Sequence, residues 1–523
     1  MQCQLRTRST SAQLPKIDRQ LDRGLPSLRK WLRTQHAPYP QVGGEKLLGS
    51  NRWCRHMCQK LRLEADTRHP ISVTRFTTED ARPTDVLRFA CRVDRSALRR
   101  GYQSASFMHH GFNLVDEASA GSAARGADTH PSRWRMLALV ACAELLGMSL
   151  WFAASAVSAQ YRILWGLSAS QVGWLTTVVQ LGFVVGTAVL ATLNAVDIVP
   201  SGRLFATGAV TGAIANAALV IAPGFRTALL CRMITGVALA AVYPPAMKMI
   251  STWFRARRGL AVGGIVGALT VGKATPYLVH AIPGAGIRPV VLTASAAALT
   301  AAILILVGYR DGPYPFPPRP FSWGLVASIA SERRFRLATG GYLGHMWELY
   351  AAWTWLPVFI SASITAQRGQ SSAATSIASI VAFAALAIGG AGCIWGGLLA
   401  DRRGREWLVN VAMTVSGACA LLIGLTFGMT LWVVVPIALI WGFFVIADSA
   451  QFSVLVTESV PPHAVGTALT VQTSLGFLLT MVTIQTVPQL SQLISWRWAF
   501  AILALGPMFG IWSIRKLAVI MPG

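Results

Sequence analysis

Acidic side chains are scarce in this sequence, and most devices of a soluble enzyme or nucleic-acid reader are missing. Asp and Glu number 21 against 46 Lys and Arg in 523 residues; charged residues make up only 13%, while 53% are hydrophobic. A soluble chain of this length would be read as several domains, and so little charge argues against that. No Gly-x4-Gly-Lys-Ser/Thr loop occurs, which excludes ATP-driven pumping. No hydrolytic triad and no metal constellation can be assembled, so neither an enzyme nor a need for cofactor or metal is expected. The formal charge of +25 invites a nucleic-acid reading. No helix-turn-helix, zinc finger or RNA-binding sheet accompanies it, and no nucleic-acid partner is expected. The eight cysteines form no disulfide framework: Cys3, Cys54, Cys58 and Cys91 are scattered through the first 134 residues, while Cys142, Cys231, Cys393 and Cys419 fall inside apolar runs. Cys54 and Cys58 lack a second ligand pair at zinc spacing.

Residues 1–134 are polar, basic and without helical or strand periodicity, and they carry no cleavable-signal pattern. The start, MQCQLRTRSTSAQLPK, is rich in Arg and Ser and free of acids, weakly resembling a transit peptide. This segment reads either as a disordered cytosolic extension or as sequence ahead of a later start at Met108 or Met136.

What is present from residue 135 onward is a succession of apolar runs of ~18–25 residues, the length that spans ~30 Å of hydrocarbon. They lie near 135–158, 171–196, 203–223, 227–250, 258–282 and 287–309. After a Pro-rich linker over 310–335 a second set lies near 336–361, 374–400, 406–428, 431–456, 463–487 and 495–517, before a short tail at 518–523. The expected fold is an all-α membrane protein of two six-helix bundles, 135–309 and 336–517, around a central cavity. One set of loops holds Arg203, Arg255, Arg257, Arg258, Arg310, Arg319, Arg333, Arg334, Arg336, Arg402, Arg403, Arg405, Arg515 and Lys516. The opposite loops hold only Arg162, Arg226, Arg288, Arg368 and Arg497. The bias places the first set, and both chain ends, in the cytosol of a cell membrane. The halves echo each other: residues 148–154 resemble 346–352, and Gly202-Arg203 recurs as Gly404-Arg405. Parallel repeats are expected where a binding site lies between rocking halves.

The densest charge, GGLLADRRGRE at 396–406, falls in the turn between spans eight and nine. Gly397, Asp401, Gly404 and Arg405 match, position for position, the cytosolic loop motif of the major facilitator superfamily: Gly, three residues, Asp, two residues, Gly, Arg. The stretch from about 135 to 517 therefore resembles that family. Asp401 there can pair with an arginine or face the positive N-terminal end of a nearby helix. The loop after span two keeps Asp197, Gly202 and Arg203, with two extra residues between acid and glycine and no glycine four before the acid. In span four, Arg232-Met-Ile-Thr235-Gly236 resembles the family's fourth-helix pattern, with Thr235 in place of Gln. The resemblance implies a role for Arg232 in proton coupling. Span five has glycines but lacks the Gly-Pro pair of the antiporter signature.

An ionisable side chain at mid-bilayer costs at least ~2.5–3.5 kcal/mol on insertion scales, so it needs a partner, a cavity or a task. Glu144, Arg232, Lys273, Glu348 and Asp448, with His345, stand inside the spans. Helical spacing puts Glu144 on a stripe with Met148, Trp151, Ser155 and Ser158. His345 and Glu348 share a stripe with Tyr342, Ala352 and Trp355, and Asp448 shares one with Trp441, Phe444, Gln451 and Glu458. In the resembling family, spans one, four, seven and ten line the cavity. Glu144 reads as a cavity acid or as one bonded across a helix contact. Arg232 is expected to meet an acid or an anion. Lys273 faces the cavity or snorkels outward; Asp448 touches substrate or the cytosolic gate. His345 and Glu348, at i and i+3, are the first choice for sharing a transported proton, with Glu144 as the other carrier. Trp347, Tyr350, Trp353 and Trp355 are expected to pack or sit at the interface. The expected activity is alternating-access transport of a small solute, proton-coupled, leaning toward a small or organic anion, by a monomer. Efflux of drugs is the alternative within the class, and a non-transporting sensor or scaffold the alternative outside it.

Overall fold

The computed structural model describes residues 130–254, 258–314, 321–369 and 372–520. The N-terminal extension through residue 129, with the Cys54–Cys58 pair and Met108, lies outside the described residues, as do Arg255, Arg257 and Arg319. The described chain is helical almost throughout. Span two is Ala169–Thr192, three Ser201–Ile221, four Phe225–Ser251, six Ile287–Gly308, nine Arg405–Thr426, ten Leu431–Ser459, eleven Val465–Leu493 and twelve Trp496–Ile520. Spans five, seven and eight are Arg258–His280, Arg333–Arg368 and Ser372–Arg403. Eleven helices among the described residues are long and apolar enough to cross a membrane. Span one differs from its expected form: it is three pieces, Arg133–Met148, Ala153–Ala156 and Ser158–Trp165.

Local signals start and stop these helices. Ser168 and Gln171 form a reciprocal capping box at the start of span two, each side chain accepting from the other's backbone N–H (3.2 and 2.8 Å), which satisfies two of the donors a helix N-terminus leaves free. Span four is interrupted at Ala241 and Val242, immediately before Tyr243-Pro-Pro, where proline occupies the first turn of the next piece. Span ten is interrupted at Asp448, which ends Leu431–Ala447 and starts Ser449–Ser459.

The two halves pack by the same plan. In the first, span one lies against five and six, two against four, and three against four and six. In the second, span seven lies against eleven and twelve, eight against ten, and nine against ten and twelve. The backbones of two and four meet at Gly182 and Gly236, where a Cβ on either would enter the other helix. Gly442 of span ten meets the Ala385 carbonyl of span eight in the same way. In a bilayer, where lipid competes for apolar surface, such close approach is what holds helices together. The seam between halves is formed by span five on eight and span two on eleven, pairs that exchange under the repeat.

Contacts cross the seam at both ends. At the end remote from the arginines, His280 Nδ1 lies 2.9 Å from Ser379 Oγ, between spans five and eight. The Gln485 amide of span eleven meets the hydroxyls of Ser170 and Thr177 on span two at 2.8 and 3.0 Å. At the arginine-rich end the linker joins the halves: Phe321 N donates to Asn194 Oδ1 after span two (3.2 Å), and Ser322 N to Thr467 Oγ1 of span eleven (3.0 Å). The linker then forms a short helix, Trp323–Ser331.

Candidate functional site

The break in span one frees carbonyls, and a buried arginine takes them. Arg232 Nη1 donates to the Leu150 carbonyl (2.9 Å) and to Asn216 Oδ1 of span three (3.4 Å). Its Nε donates to the Leu175 carbonyl of span two (3.2 Å), and its Nη2 to the Trp151 carbonyl. Asn216 in turn donates to the Val291 carbonyl and to Ser295 Oγ of span six, both at 3.0 Å. An unpaired carbonyl in hydrocarbon is costly, so the guanidinium fork makes the break tolerable and ties five spans together. Arg232 was expected to meet an acid or an anion. In the structure no carboxylate stands at ion-pair distance from it among the described residues.

Lys273 does not snorkel. It is 2% exposed, and its Nζ donates to the Tyr350 hydroxyl of span seven at 2.5 Å. The ammonium lies 4.1 Å from the centre of the Trp151 ring, 4.7 Å from Tyr350 and 5.5 Å from Trp353. Cation–π contacts of this kind are worth ~2 kcal/mol when desolvated, which offsets part of the burial. Glu144 of span one is fully buried with neither carboxylate oxygen hydrogen-bonded, at the place where span one packs on Gly272 of span five. The box therefore joins spans one, five and seven, from both halves.

A second cluster lies within the C-terminal half. His345 Nδ1 stands 2.9 Å from Asp448 Oδ1 at the break in span ten, at ion-pair distance but out of line for a hydrogen bond. Glu348 accepts from Trp441 Nε1 of span ten (2.7 Å) and from Ser416 Oγ of span nine (2.8 Å). His345 is expected to share its proton with Glu348; it faces Asp448 instead, while Glu348 is held by Trp441 and Ser416. Gln451 is buried below Asp448, its backbone N–H donating to the Asp448 carbonyl (2.9 Å). Of the span-seven aromatics, Trp347 and Trp355 pack as expected, donating to the carbonyls of Ile502 and Ile484. Tyr350 and Trp353 face Lys273. Sequence reasoning missed Ser416 and Asn216. Asn216, a lone amide in an apolar run, carried a usable signal, and Ser416 carried none.

At the arginine-rich end each half holds an ion pair between the loop after its second span and the end of its fourth. Asp197 meets Lys248 at 2.8 Å, and Arg405 meets Glu458 at 2.9 Å, with the charges exchanged between loop and helix. Both pairs are partly exposed, which limits each to ~1 kcal/mol or less. Asp401 lies against Gly259 at the start of span five, where a Cβ would stand 3.5 Å from its carboxylate, and Gly397 approaches the Gly259 carbonyl. Gly202 packs near Tyr309, and Arg203 is exposed. Gly404 has φ +90° as it caps span nine, a conformation open to glycine and strained for other residues. Gly404→Val should cost ~1–3 kcal/mol, read as a lowered midpoint of thermal unfolding in detergent.

Ionisable groups buried on both sides of a seam between two matching bundles are the build of a membrane carrier for solutes. The profile of the Major Facilitator Superfamily matches residues 137–484, more than half of the chain. The chain belongs to this family and is a multi-pass secondary transporter. Among solved structures it is similar to a bacterial homologue of the human lysosomal transporter Spinster. The inward-facing, unoccupied form aligns at TM-score 0.53 and 15% identity, over 75% of this chain and 96% of that one. The inward-facing, occupied form gives 0.54 and 16%, over 75% and 97%. At such identity the likeness shows the fold. No curated protein matches the sequence.

Proposed function

We propose that the protein moves a small anion together with protons, the proton being carried by His345, Asp448 and Glu348. The observation behind this reading is the His345–Asp448 contact, an acid and a base 2.9 Å apart and almost wholly buried, with Glu348 one turn away. Such groups inside a membrane protein are costly unless they have a task. Span seven links the two clusters: His345 and Glu348 face spans nine and ten, while Tyr350 and Trp353 reach across the seam to Lys273. A change of charge around Glu348 then bears on the helix that holds the central site. The anion preference rests on a buried cation. Arg232 is taken up by carbonyls, which leaves Lys273 for a solute. Alternating access would part the Gln485 and His280 contacts on one side and the Asp401 and linker contacts on the other. The arginine-rich end faces the cytosol of a cell membrane on this reading, by the loop-charge bias, and the carrier works as a monomer.

The test uses proteoliposomes loaded with a pH-sensitive dye and given a panel of small monovalent anions. The wild-type protein should acidify the lumen when its anion is supplied outside. Glu348→Gln should slow that acidification by about tenfold or more while retaining exchange of labelled anion between equal pools. Equal acidification by both proteins would rule out Glu348 as a carrier.

A further inference from the structure

The centre of the seam gathers hydrogen-bond donors that no group among the described residues takes. Trp151 Nε1, Trp353 Nε1 and the Tyr277 hydroxyl are all buried without an acceptor. Lys273, with three ammonium hydrogens, donates to Tyr350. Gln180, on the face of span two that also carries Phe183, is fully buried with both ends of its amide unpaired. Buried polar groups in native proteins are nearly all bonded. Three donors left over on side chains grouped about Lys273, those of Trp151, Trp353 and Tyr277, mark a place that receives acceptors from elsewhere.

The rest of the box is flat and apolar. Trp151 lies 5.3 Å from Phe183, 5.7 Å from Tyr350 and 5.6 Å from Phe477 between ring centres, and Phe183 lies 4.7 Å from Phe477. Phe152 joins Tyr277, Tyr350 and Trp353 to the same group, at 6.3–6.5 Å. These rings come from spans one, two, five, seven and eleven. A solute able to part them and restore their contacts needs π-faces of its own.

We propose that this box binds a monocarboxylate on a planar aromatic skeleton. The carboxylate takes the Lys273 ammonium, the two indole N–H groups and the Tyr277 hydroxyl, and the ring lies among Trp151, Tyr350 and Phe477. The assignment rests on the reading that the carrier takes anions, and it names their class. Glu144 sets the limit of one charge. A second carboxylate would meet Glu144, whose oxygens have no donor to share.

The experiment is thermal unfolding and calorimetric titration of the full chain in nanodiscs, with benzoate, cyclohexanecarboxylate, terephthalate and benzylamine as probes. Benzoate should bind and raise the unfolding midpoint, as a ligand specific for the folded state must. Cyclohexanecarboxylate, with the charge and no π-face, should bind about tenfold more weakly, terephthalate weaker still, and benzylamine not at all. Lys273→Met should abolish benzoate binding. Trp353→Phe, which keeps the ring and removes one N–H, should weaken it by about threefold to tenfold and keeps the test open should Lys273→Met fail to fold. Benzylamine binding as well as benzoate, or benzoate binding indifferent to Trp353→Phe, overturns the assignment. Benzoate that binds here and exchanges without moving protons sinks the coupling reading alone. Proton-coupled uptake of another anion with no benzoate binding sinks this site alone.

Discussion

Arg232→Leu is expected to yield a protein that unfolds at a much lower temperature and does not transport. The guanidinium makes four hydrogen bonds, to the carbonyls of Leu150, Trp151 and Leu175 and to Asn216. Bonds to a charged group contribute ~1.5–3 kcal/mol each, and removing the donor leaves the acceptors buried and unpaired. The sum is an upper bound because the break in span one can relax, so a net loss of ~3–5 kcal/mol is expected. Arg232→Lys should fall between, since one ammonium cannot reproduce a planar fork aimed at four acceptors on three helices. Thermal unfolding with size-exclusion elution gives the order: wild type, then Lys, then Leu. A Leu variant with wild-type stability and no transport would refute the structural role. It would return Arg232 to the coupling function that the family resemblance implies.

Why the sequence concealed this role is a matter of which forces are local. The spans were legible because about twenty apolar residues in a row have one cheap solution in lipid. Their ends differ from the structure by up to about seven residues: span one is expected to end at 158 and ends at Trp165, and span seven is expected to end at 361 and ends at Arg368. The break in span four was not read from the sequence, although Tyr243-Pro-Pro marks it there. The break in span one has no such mark: Ser149-Leu-Trp-Phe152 contains no proline or glycine, and what sustains it is Arg232, some eighty positions along the chain. Asp401, Gly404 and Arg405 could be placed in a turn because loop motifs are contiguous. His345 and Glu348 could be placed inside span seven, but a helix turns ~100° per residue, and the pattern did not say which neighbour each would face. For Tyr350 and Trp353 the sequence suggests packing or a place at the interface, because an aromatic side chain in a span ordinarily does one or the other. The cation that gives them another task lies on a different helix, in the other half.

Removing one member of the His345–Asp448 pair should cost far more stability than replacing both. Asp448→Ala leaves the His345 ring buried with Nδ1 facing nothing, in addition to an Nε2 that already has no partner. Breaking a buried pair from one side costs ~3–5 kcal/mol, whereas exchange of both partners for apolar groups of similar volume is often neutral or stabilising. The site suits that exchange. His345 lies beside the rings of Tyr342 and Phe452, at 6.2 and 5.2 Å, so His345→Phe joins an aromatic cluster. The Asp448 side chain caps neither piece of span ten, and the break is closed by the backbone bond from Gln451, so Asp448→Leu does not uncap a helix. His345→Phe with Asp448→Leu should therefore unfold near the wild-type midpoint, while Asp448→Ala alone falls well below it. Proton movement should follow the opposite logic: absent in the single variant and equally absent in the stable double variant, with exchange of the anion retained in the latter. Stability can be restored by packing, but a proton needs an acid or a base to sit on. A double variant that is stable and still acidifies the vesicle lumen at the wild-type rate would show that the pair only fills space between spans seven and ten, and that the proton travels by Glu348 or Glu144.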